Sequence, residues 1–295
     1  MSIKPKYPIY IVSKGRYDKR MTADSLEMMN QPYFMVIEQK EYEMYAEKIG
    51  AMKCLALPQE YLDKYKLCDA DGLTRSGGPG AARNFCLDHA KQLNVKRHWV
   101  LDDNINGFYR LNKNLKVKCL TSSIFRAAED FVDRYDNVPI AGFNYAMFAK
   151  RKDSAPPFVL NTRIYSCLLI DNNIKHRWEG RYNEDTHLSL RVLKDNDCTI
   201  QFNVFLANKV KTQTMSGGNT DAFYAIEGTL NKSKMIEELH PDVAKVVFKF
   251  NRWHHHVDYS RFKNNRLIKI VDTSNMPKVN NYGMMLTESN IKFGD

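Results

Sequence analysis

Two adjacent carboxylates end an apolar run in Val100-Leu101-Asp102-Asp103-Asn104. Two acids at the end of a buried strand are costly unless a positive charge compensates them. A divalent cation can do so, and carboxylate oxygens suit Mg²⁺ or Mn²⁺. Such a metal can bridge a diphosphate and neutralise it as a leaving group. The pair alone is equally typical of a turn with an aspartate at a capping position.

Other polar residues follow apolar runs in the first hundred residues. The turn Ser13-Lys14-Gly15-Arg16 offers cationic donors that suit a phosphate or a base edge. Glu38 follows the second run, where an acid can accept hydrogen bonds from a ribose or a base. Gly80 opens a predicted helix that contains Arg83, and a helix N-terminus preceded by glycine suits anions. Taken alone, Arg83 would be interpreted as part of a surface salt bridge.

The elements that must position these residues alternate in type. Four apolar runs predict buried strands, with helical patterns between them, and this order indicates a parallel sheet with βαβ crossovers. The runs are Pro8–Val12, Tyr33–Ile37, Cys54–Leu57 and His98–Leu101. In such sheets ligands bind beyond the carboxyl ends of the strands. We therefore expect the polar turns to converge on one crevice.

The second half of the chain is more mixed. The patterns predict helices over Thr121–Tyr135 and Glu184–Leu193, and strands over Val138–Phe148, Arg163–Asp171 and Thr199–Leu206. A helix over Glu38–Lys48 is predicted in the first half. The polar loop Thr212–Asp221 contains Gly217-Gly218-Asn219 and could close over a ligand, although a plain surface loop is at least as good an interpretation.

Composition excludes several classes of protein. The chain has 295 residues, of which 43% are hydrophobic and 26% charged, so it is neither disordered, collagen-like nor a coiled coil. No run approaches the ~18 apolar residues of a membrane helix. The basic start has too short an apolar stretch for a secretion signal, so we expect a cytoplasmic protein.

Cysteine spacing argues against a zinc site built from cysteines. The six cysteines contain no Cys-x-x-Cys pair; they are Cys54, Cys68, Cys86, Cys119, Cys167 and Cys198. Scattered cysteines in a cytosolic protein are usually reduced and part of the packing.

The charge balance is strongly basic. Lys and Arg number 44 against 34 Asp and Glu, so the formal net charge is +10. A surplus of this size favours a polyanionic partner such as nucleic acid or a nucleotide phosphate. Lys245 to Lys269 is especially rich in Lys, Arg and His, with Asp258 as its one acid. A solvated surface and a phosphate-facing surface fit that stretch equally well.

The ordered set of motifs resembles a known family. Five motifs occur in the order that they have in a GT-A glycosyltransferase that uses a nucleotide-diphosphate sugar. They are Ser-Lys-Gly-Arg after a strand, a strand ending in Glu38, Gly80-Ala81-Ala82-Arg83-Asn84, Leu101-Asp102-Asp103-Asn104 and Asn183-Glu184-Asp185. Within that fold the chain is most similar to the glycosyltransferases associated with TET/JBP hydroxylases. These phage and eukaryotic enzymes are thought to place sugars on hydroxymethylated pyrimidines in DNA. The Gly-Pro-Gly, the Asp-Asp-Asn and Arg252–Tyr259 suggest this subgroup.

The resemblance implies a fold class and a division of the chain. It implies an α/β GT-A fold, a Rossmann-like mixed sheet with helices on both faces. Residues 1–206 would form the nucleotide-sugar-binding and catalytic core. Residues 207–295 would form a C-terminal extension that closes the site and contacts the acceptor, continuous with the core as one domain.

The resemblance also implies roles in donor binding. Asp103 would ligate the metal and Asp102 would contact the ribose. The usual Asp-x-Asp has a second acid where this chain has Asn104, which puts that part of the coordination in doubt. Arg83 would lie near the base or the diphosphate. The nucleoside, expected to be uridine, would be held by Ser13, Lys14, Gly15, Arg16 and Glu38.

Two further roles follow from the resemblance. In inverting GT-A enzymes an acid near position 185 takes the proton of the acceptor hydroxyl, so we predict Asp185 as the base with Glu184 as the second choice. In a retaining enzyme these acids would instead position the acceptor or the sugar. A late histidine often completes the metal site, and His255 is favoured within His254-His255-His256.

The predicted function is metal-dependent transfer from a UDP-sugar to the hydroxyl of a 5-hydroxymethylated pyrimidine in DNA. The metal would be Mn²⁺ or Mg²⁺, and Trp178, Tyr182 and Trp253 are candidates to stack on a base. One alternative is the same fold acting on a polysaccharide or a protein. Another is a nucleotidyltransferase, which would release pyrophosphate. A third is a basic DNA-binding module without activity.

Overall fold

A computed structural model describes residues 3–68, 78–112, 115–150, 156–210, 230–272 and 279. Its first half is the predicted parallel βα unit. The strands are β1 (Ile9–Val12), β2 (Phe34–Glu38), β3 (Cys54–Leu57) and β4 (Arg97–Asp102). The helices are α1 (Met21–Met28), α2 (Tyr42–Ile49), α3 (Gln59–Asp63) and α4 (Gly80–Gln92). β1 pairs in parallel with both β2 and β4, and β2 with β3.

The second half extends this unit into a mixed sheet. It adds β5 (Ile105–Asn112), β6 (Leu115–Lys118), β7 (Ile140–Tyr145), β8 (Phe158–Leu160), β9 (Cys167–Asp171) and β10 (Thr199–Lys209). The helices are α5 (Ser123–Val132), α6 (Glu184–Lys194) and α7 (Leu230–Leu239). The strand order is β3-β2-β1-β4-β9-β7-β10-β5-β6, with β8 on β10. β9 is antiparallel to its neighbours β4 and β7, whereas β7 and β10 are parallel to each other.

Several predicted boundaries differ from the structure. The strand predicted over Arg163–Asp171 begins only at Cys167, because Ser166 has a φ of 60° that interrupts the extended chain. The helix predicted over Glu38–Lys48 begins at Tyr42, after a 3₁₀ turn at Gln39–Glu41. The hairpin of β5 and β6 was not predicted. The strand predicted over Thr199–Leu206 continues to Lys209.

The core has two sides because strand residues alternate between the faces of the sheet. On one face Trp99 packs against Phe125 and Phe143, with ring centroids 5.0 and 5.1 Å away. On the other face Val100 belongs to a cluster with Tyr10 and with Cys86 of α4. The sheet is therefore covered by helices on both faces, as expected of the GT-A class.

The described C-terminal part forms a small unit beside α6. The antiparallel hairpin of β11 (Ala244–Lys249) and β12 (Arg252–Val257) contacts α7. Met235 and Ile236 of α7 pack with Leu190 and Leu193 of α6. This packing fixes the hairpin next to the helix that carries Glu184 and Asp185.

None of the six cysteines, all of which lie in the described part of the chain, forms a disulfide. Four of them are buried, whereas Cys68 and Cys119 are half-buried. Among the described residues, none of the helices is both long and apolar enough to span a bilayer.

Candidate active site

A cavity of about 480 Å³ lies at one edge of the sheet. The carboxyl ends of β1, β2, β4, β7 and β10 reach this edge, and so does the amino end of the antiparallel β9. The N-termini of α4 and α6 point to the same place, since Arg83, Glu184 and Asp185 line the cavity. The predicted convergence of the polar turns on one crevice is therefore confirmed.

Asp102 is held by two cations and a hydroxyl. Its Oδ1 accepts a hydrogen bond from Arg83 at 2.8 Å, and its Oδ2 accepts one from Lys209 Nζ at 2.7 Å. Ser166 Oγ donates to the same Oδ2 at 2.5 Å. Burial disfavours the carboxylate, but Lys209 and Arg83 together hold the pKa of Asp102 well below its usual range. Asp102 is thus a fixed anion at the floor of the cavity.

Arg83 joins the two acidic motifs. Its side chain is 2% exposed, and Nη1 donates to Glu184 Oε1 at 2.7 Å and to Asp185 Oδ1 at 2.5 Å. A guanidinium presents several donors in a fixed plane, so one side chain can serve three carboxylates. The surface salt bridge considered for Arg83 from the sequence is therefore wrong, because the side chain is buried.

Asp185 is the more deeply buried of the two acids at the start of α6. Its Oδ1 also accepts a hydrogen bond from Trp178 Nε1 at 3.1 Å. The pKa of Asp185 is raised to about 7: burial raises it most, Arg83 opposes the shift, and the neighbouring Glu184 and Asp102 add to it. A carboxylate with such a pKa can accept a proton near neutral pH.

Asp103 occupies the opposite side of the same strand end. Arg16 Nη1 lies 2.5 Å from Oδ1, and Ser13 Oγ donates to Oδ2 at 2.7 Å. Tyr45 OH is 2.7 Å from that Ser13 hydroxyl. Burial raises the pKa of Asp103, with Arg16 and Ser13 partly offsetting it. The turn after β1 thus contacts Asp103, the residue after β4, through an ion pair and a hydrogen bond.

Glu38 lines the cavity with two lysines on its carboxylate. Lys14 Nζ lies 2.5 Å from Oε1 and Lys40 Nζ 2.9 Å from Oε2. Gly15 is placed differently, because its amide donates to Glu41 at 3.0 Å and it is not among the described cavity residues. Its φ of 65° allows the chain to turn between Lys14 and Arg16.

The C-terminal unit completes the wall. Lys232 of α7 and Arg252 and His255 of β12 line the cavity. Burial, together with the nearby Lys232 and Arg163, lowers the pKa of His255 to about 4, so the imidazole is neutral at pH 7. The predicted closing loop, Thr212–Asp221, lies outside the described residues.

The cavity carries a surplus of positive charge. Among its described lining residues, five are acidic and eight are Lys or Arg; the basic ones are Lys14, Arg16, Arg83, Arg163, Arg181, Lys209, Lys232 and Arg252. Clustered cations in a concave site raise the local concentration of anions. The arrangement suits a ligand with several negative charges, such as a nucleotide diphosphate.

The cavity residues can hold a divalent cation only if phosphate oxygens or water molecules complete its coordination. Asp103 and His255 both line the cavity and offer oxygen and nitrogen donors suited to Mn²⁺. However, Arg16 is paired with Asp103, and no group of three ligating side chains meets at Asp103 within the described part of the chain. Mg²⁺ sites commonly use one or two carboxylates and take the remaining ligands from phosphate and water. The donor set fits a metal of that kind.

The sequence profile of the TET-associated glycosyltransferases matches residues 7–218, which is more than half of the chain. The chain belongs to this family. It is therefore an enzyme of the glycosyltransferase class, and the GT-A-like α/β fold agrees with that. No curated protein sequence matches the chain significantly.

Sequence patterns missed part of this glycosyltransferase site. Lys209 of β10 and Ser166, just before β9, bond Asp102, and Tyr145 OH of β7 lies 2.6 Å from Ser166 Oγ. Each is a single polar residue at a strand end, a signal too common to select it in advance. Trp178 and Tyr182 are only 1% and 4% exposed, so the expectation that they stack on an acceptor base is wrong.

Proposed function

We propose that this glycosyltransferase moves a sugar from a UDP-sugar to the hydroxyl of a 5-hydroxymethylated pyrimidine in DNA, with the help of Mn²⁺ or Mg²⁺. The observation that supports it best is the joining of two acidic motifs by Arg83 in a cavity rich in cations. Asp102 and Asp185 both accept hydrogen bonds from the Arg83 guanidinium. If Asp102 binds the donor and Asp185 the acceptor, this arrangement would bring the two substrates together.

The nucleotide would lie along the strand ends. The uridine would be held by Ser13, Lys14 and Arg16, which follow β1, and by Glu38, which ends β2. Gly15 would shape the turn. Asp102 would accept a hydrogen bond from the ribose while Lys209 keeps it ionised. The surplus of lining cations supports binding of a diphosphate.

Asp103 and His255 would hold the divalent cation, whose charge would neutralise the diphosphate as it leaves. Arg16 is paired with Asp103 in this structure and would then be released from it. A guanidinium freed in this way can donate to the diphosphate oxygens.

Asp185 would act as the base. Its carboxylate takes the proton of the acceptor hydroxyl as that oxygen forms the bond to the anomeric carbon, and the bond from that carbon to the UDP oxygen breaks. Attack opposite the leaving group inverts the configuration. The raised pKa of Asp185, about 7, supports this carboxylate as the base for this step.

The DNA would approach over the β11–β12 hairpin. This hairpin contributes Arg252 and His255 to the cavity, and it exposes Phe250 at 90% and Phe248 at 57%. Exposed aromatic side chains next to cations can stack on an unpaired base while the cations contact phosphates. A target base inside a duplex would have to be flipped or reached from the major groove. Action on host or phage DNA would place the enzyme in the cytoplasm.

The deciding experiment measures nucleoside-diphosphate release from a panel of UDP-sugars with Mn²⁺, with and without hydroxymethylcytosine DNA. We expect UDP release that requires the hydroxymethylated DNA and disappears in Asp103→Ala. Asp24→Ala is the matched control, because Asp24 is an exposed aspartate on α1 outside the cavity.

Other outcomes would redirect or refute the proposal. Release of UDP with a polysaccharide or protein acceptor, and none with DNA, would keep the reaction and reject the acceptor. Release of pyrophosphate would indicate nucleotidyl transfer instead. Full activity in Asp103→Ala or in a chelator would reject the metal site.

A further inference from the structure

We infer that Cys68, Glu179 and His187 form a second metal site, for a zinc-type cation, outside the glycosyltransferase cavity. One ligating atom from each side chain lies within 4.8 Å of those of the other two. His187 Nε2 is 3.9 Å from Glu179 Oε2. A thiolate, an imidazole and a carboxylate are the three ligand types that zinc uses in proteins.

The three residues come from separate parts of the chain, so their meeting is a tertiary feature. Cys68 ends the described segment after α3, Glu179 precedes α6, and His187 lies in its first two turns. Backbone hydrogen bonds of 2.8 Å from Gly180 to Lys66 and from Arg181 to Leu67 hold the first two segments side by side. The cluster therefore lies on a fixed backbone.

The surroundings of the cluster are those that metal ligands usually have. A histidine that ligates a metal generally donates a hydrogen bond from its other ring N–H, which fixes the tautomer. His187 Nδ1 lies 2.8 Å from Nε2 of His240, which is 2% exposed, and this leaves Nε2 of His187 for a metal. A metal on Nε2 fixes the proton on Nδ1, where it can be donated to His240.

Glu179 can accept a metal without losing its present partners. Lys66 Nζ donates to Oε1 at 3.1 Å and Arg191 Nη1 to Oε2 at 3.0 Å. A carboxylate has about four lone-pair sites, so these two bonds leave room for a cation. Hydrogen bonds from outside orient a ligating carboxylate in most metal sites. Because Cys68 and Glu179 are only half-buried, water can supply the fourth ligand.

The site would have a structural role rather than a catalytic one. It would tie Lys66–Cys68 to the segment before α6, and α6 begins with Glu184 and Asp185. Its ligands are not among the described residues that line the cavity. This inference does not depend on the proposed donor, acceptor or catalytic metal.

The test uses the full chain, without a polyhistidine tag, stripped with a chelator and titrated with Co²⁺ and then Zn²⁺. We expect one equivalent with a thiolate-to-cobalt charge-transfer band that Zn²⁺ displaces. Cys68→Ser should abolish the band and weaken zinc binding by at least about 100-fold, since even residues behind the ligands cost 10–100-fold. Glu179→Gln should weaken zinc binding and keep the band.

Two controls separate this site from others. Cys119→Ser changes another half-buried cysteine and should keep both the band and the affinity. Asp103→Ala removes the proposed active-site ligand and should keep them as well. The inference is overturned if no thiolate band forms in the wild-type chain, if Cys68→Ser binds zinc as tightly as wild type, or if the bound zinc depends on Asp103 instead.

Discussion

At the scale of single residues, Arg83 explains how so many acids share one site. Three carboxylates meet its buried guanidinium, and Lys209 gives Asp102 a second positive partner. An unpaired buried carboxylate would be protonated or would destabilise the fold. The same cation therefore leaves Asp102 ionised and Asp185, which is more deeply buried, near its titration point.

Asp185→Asn tests the predicted base. The amide keeps the size and the oxygen that accepts from Trp178 but cannot take a proton, so we expect kcat to fall by about 10²–10⁴-fold with little change in donor binding. Because the base must be deprotonated, wild-type kcat should rise with pH through about 7.

Glu184→Gln is the matched control for that prediction and should lose less activity, since Glu184 is the second choice. Steady-state UDP release between pH 5.5 and 8.5 measures both variants. Equal losses in the two variants, or a flat pH profile for wild type, would assign the proton transfer to another group.

Lys209→Met tests the cation that the sequence did not reveal. It removes one partner of a buried carboxylate, so we expect the free energy of unfolding at pH 7 to fall by about 1–3 kcal/mol. The folded-state pKa of Asp102 is depressed, so the pair stabilises the fold above the unfolded pKa of about 4 and loses that effect as pH falls further.

Urea unfolding at pH 7 and at about pH 3 measures this difference. The gap between Lys209→Met and wild type should be largest at pH 7 and should narrow in acid. Lys175→Met is a control, because Lys175 is 73% exposed in its side chain. A gap that does not depend on pH would indicate lost packing rather than a lost ion pair.

At the scale of elements, the site depends on how closely β9 and β7 pair. The antiparallel β9 starts at the cavity edge, which brings Ser166 to Asp102. A Cβ on Gly142 of β7 would lie 2.2 Å from the Cys167 carbonyl oxygen and 2.5 Å from Ile164. Only glycine allows this approach without moving backbone.

Gly142→Ala should therefore disturb the pairing of β7 with β9. We expect the free energy of unfolding to fall by about 1–3 kcal/mol, since the added methyl overpacks a buried site. Urea unfolding followed by circular dichroism measures it. An unchanged urea midpoint would mean that β7 and β9 can move apart without loss of stability. Their close distance would then not be what positions Ser166.

At the scale of the whole molecule, the net charge of +10 matters through its distribution. The exposed hairpin of β11 and β12 combines Lys249 and Arg252 with aromatic side chains beside the cavity. Each phosphate contact by such a cation releases a counterion, which makes binding to DNA depend on salt.

Lys249→Gln should weaken binding to DNA of any sequence. The slope of log K against log salt should become less steep by about 1, which corresponds to one lost phosphate contact. Fluorescence anisotropy at several salt concentrations measures the slope. Lys175→Gln is the control, since Lys175 follows β9 at the opposite edge of the sheet. Equal effects of the two variants would show that the hairpin is not the DNA-binding surface.

The sequence by itself determined the order of strands and helices in the first half, the crevice at their carboxyl ends, and the family. Alternating apolar runs and polar turns are local signals, so β3 is predicted with its observed ends. The polar residues selected at the ends of the predicted elements, Asp102, Arg83 and Glu38, all line one cavity. Glycosyltransferase class followed from the order of these short motifs.

The tertiary structure alone decided which residues surround each acid. Lys209 and Ser166 bond Asp102, and Tyr145 bonds Ser166, because the carboxyl ends of β10 and β7 and the amino end of β9 lie at the same edge. The antiparallel direction of β9 does not appear in any local pattern. The burial of Arg83 and Trp178, and the meeting of Cys68 with His187, likewise depend on contacts between segments far apart in the chain. The spacing of apolar and polar residues along the sequence reflects the periodicity of one helix or strand at a time. Charge pairing and pKa depend instead on the distances between elements.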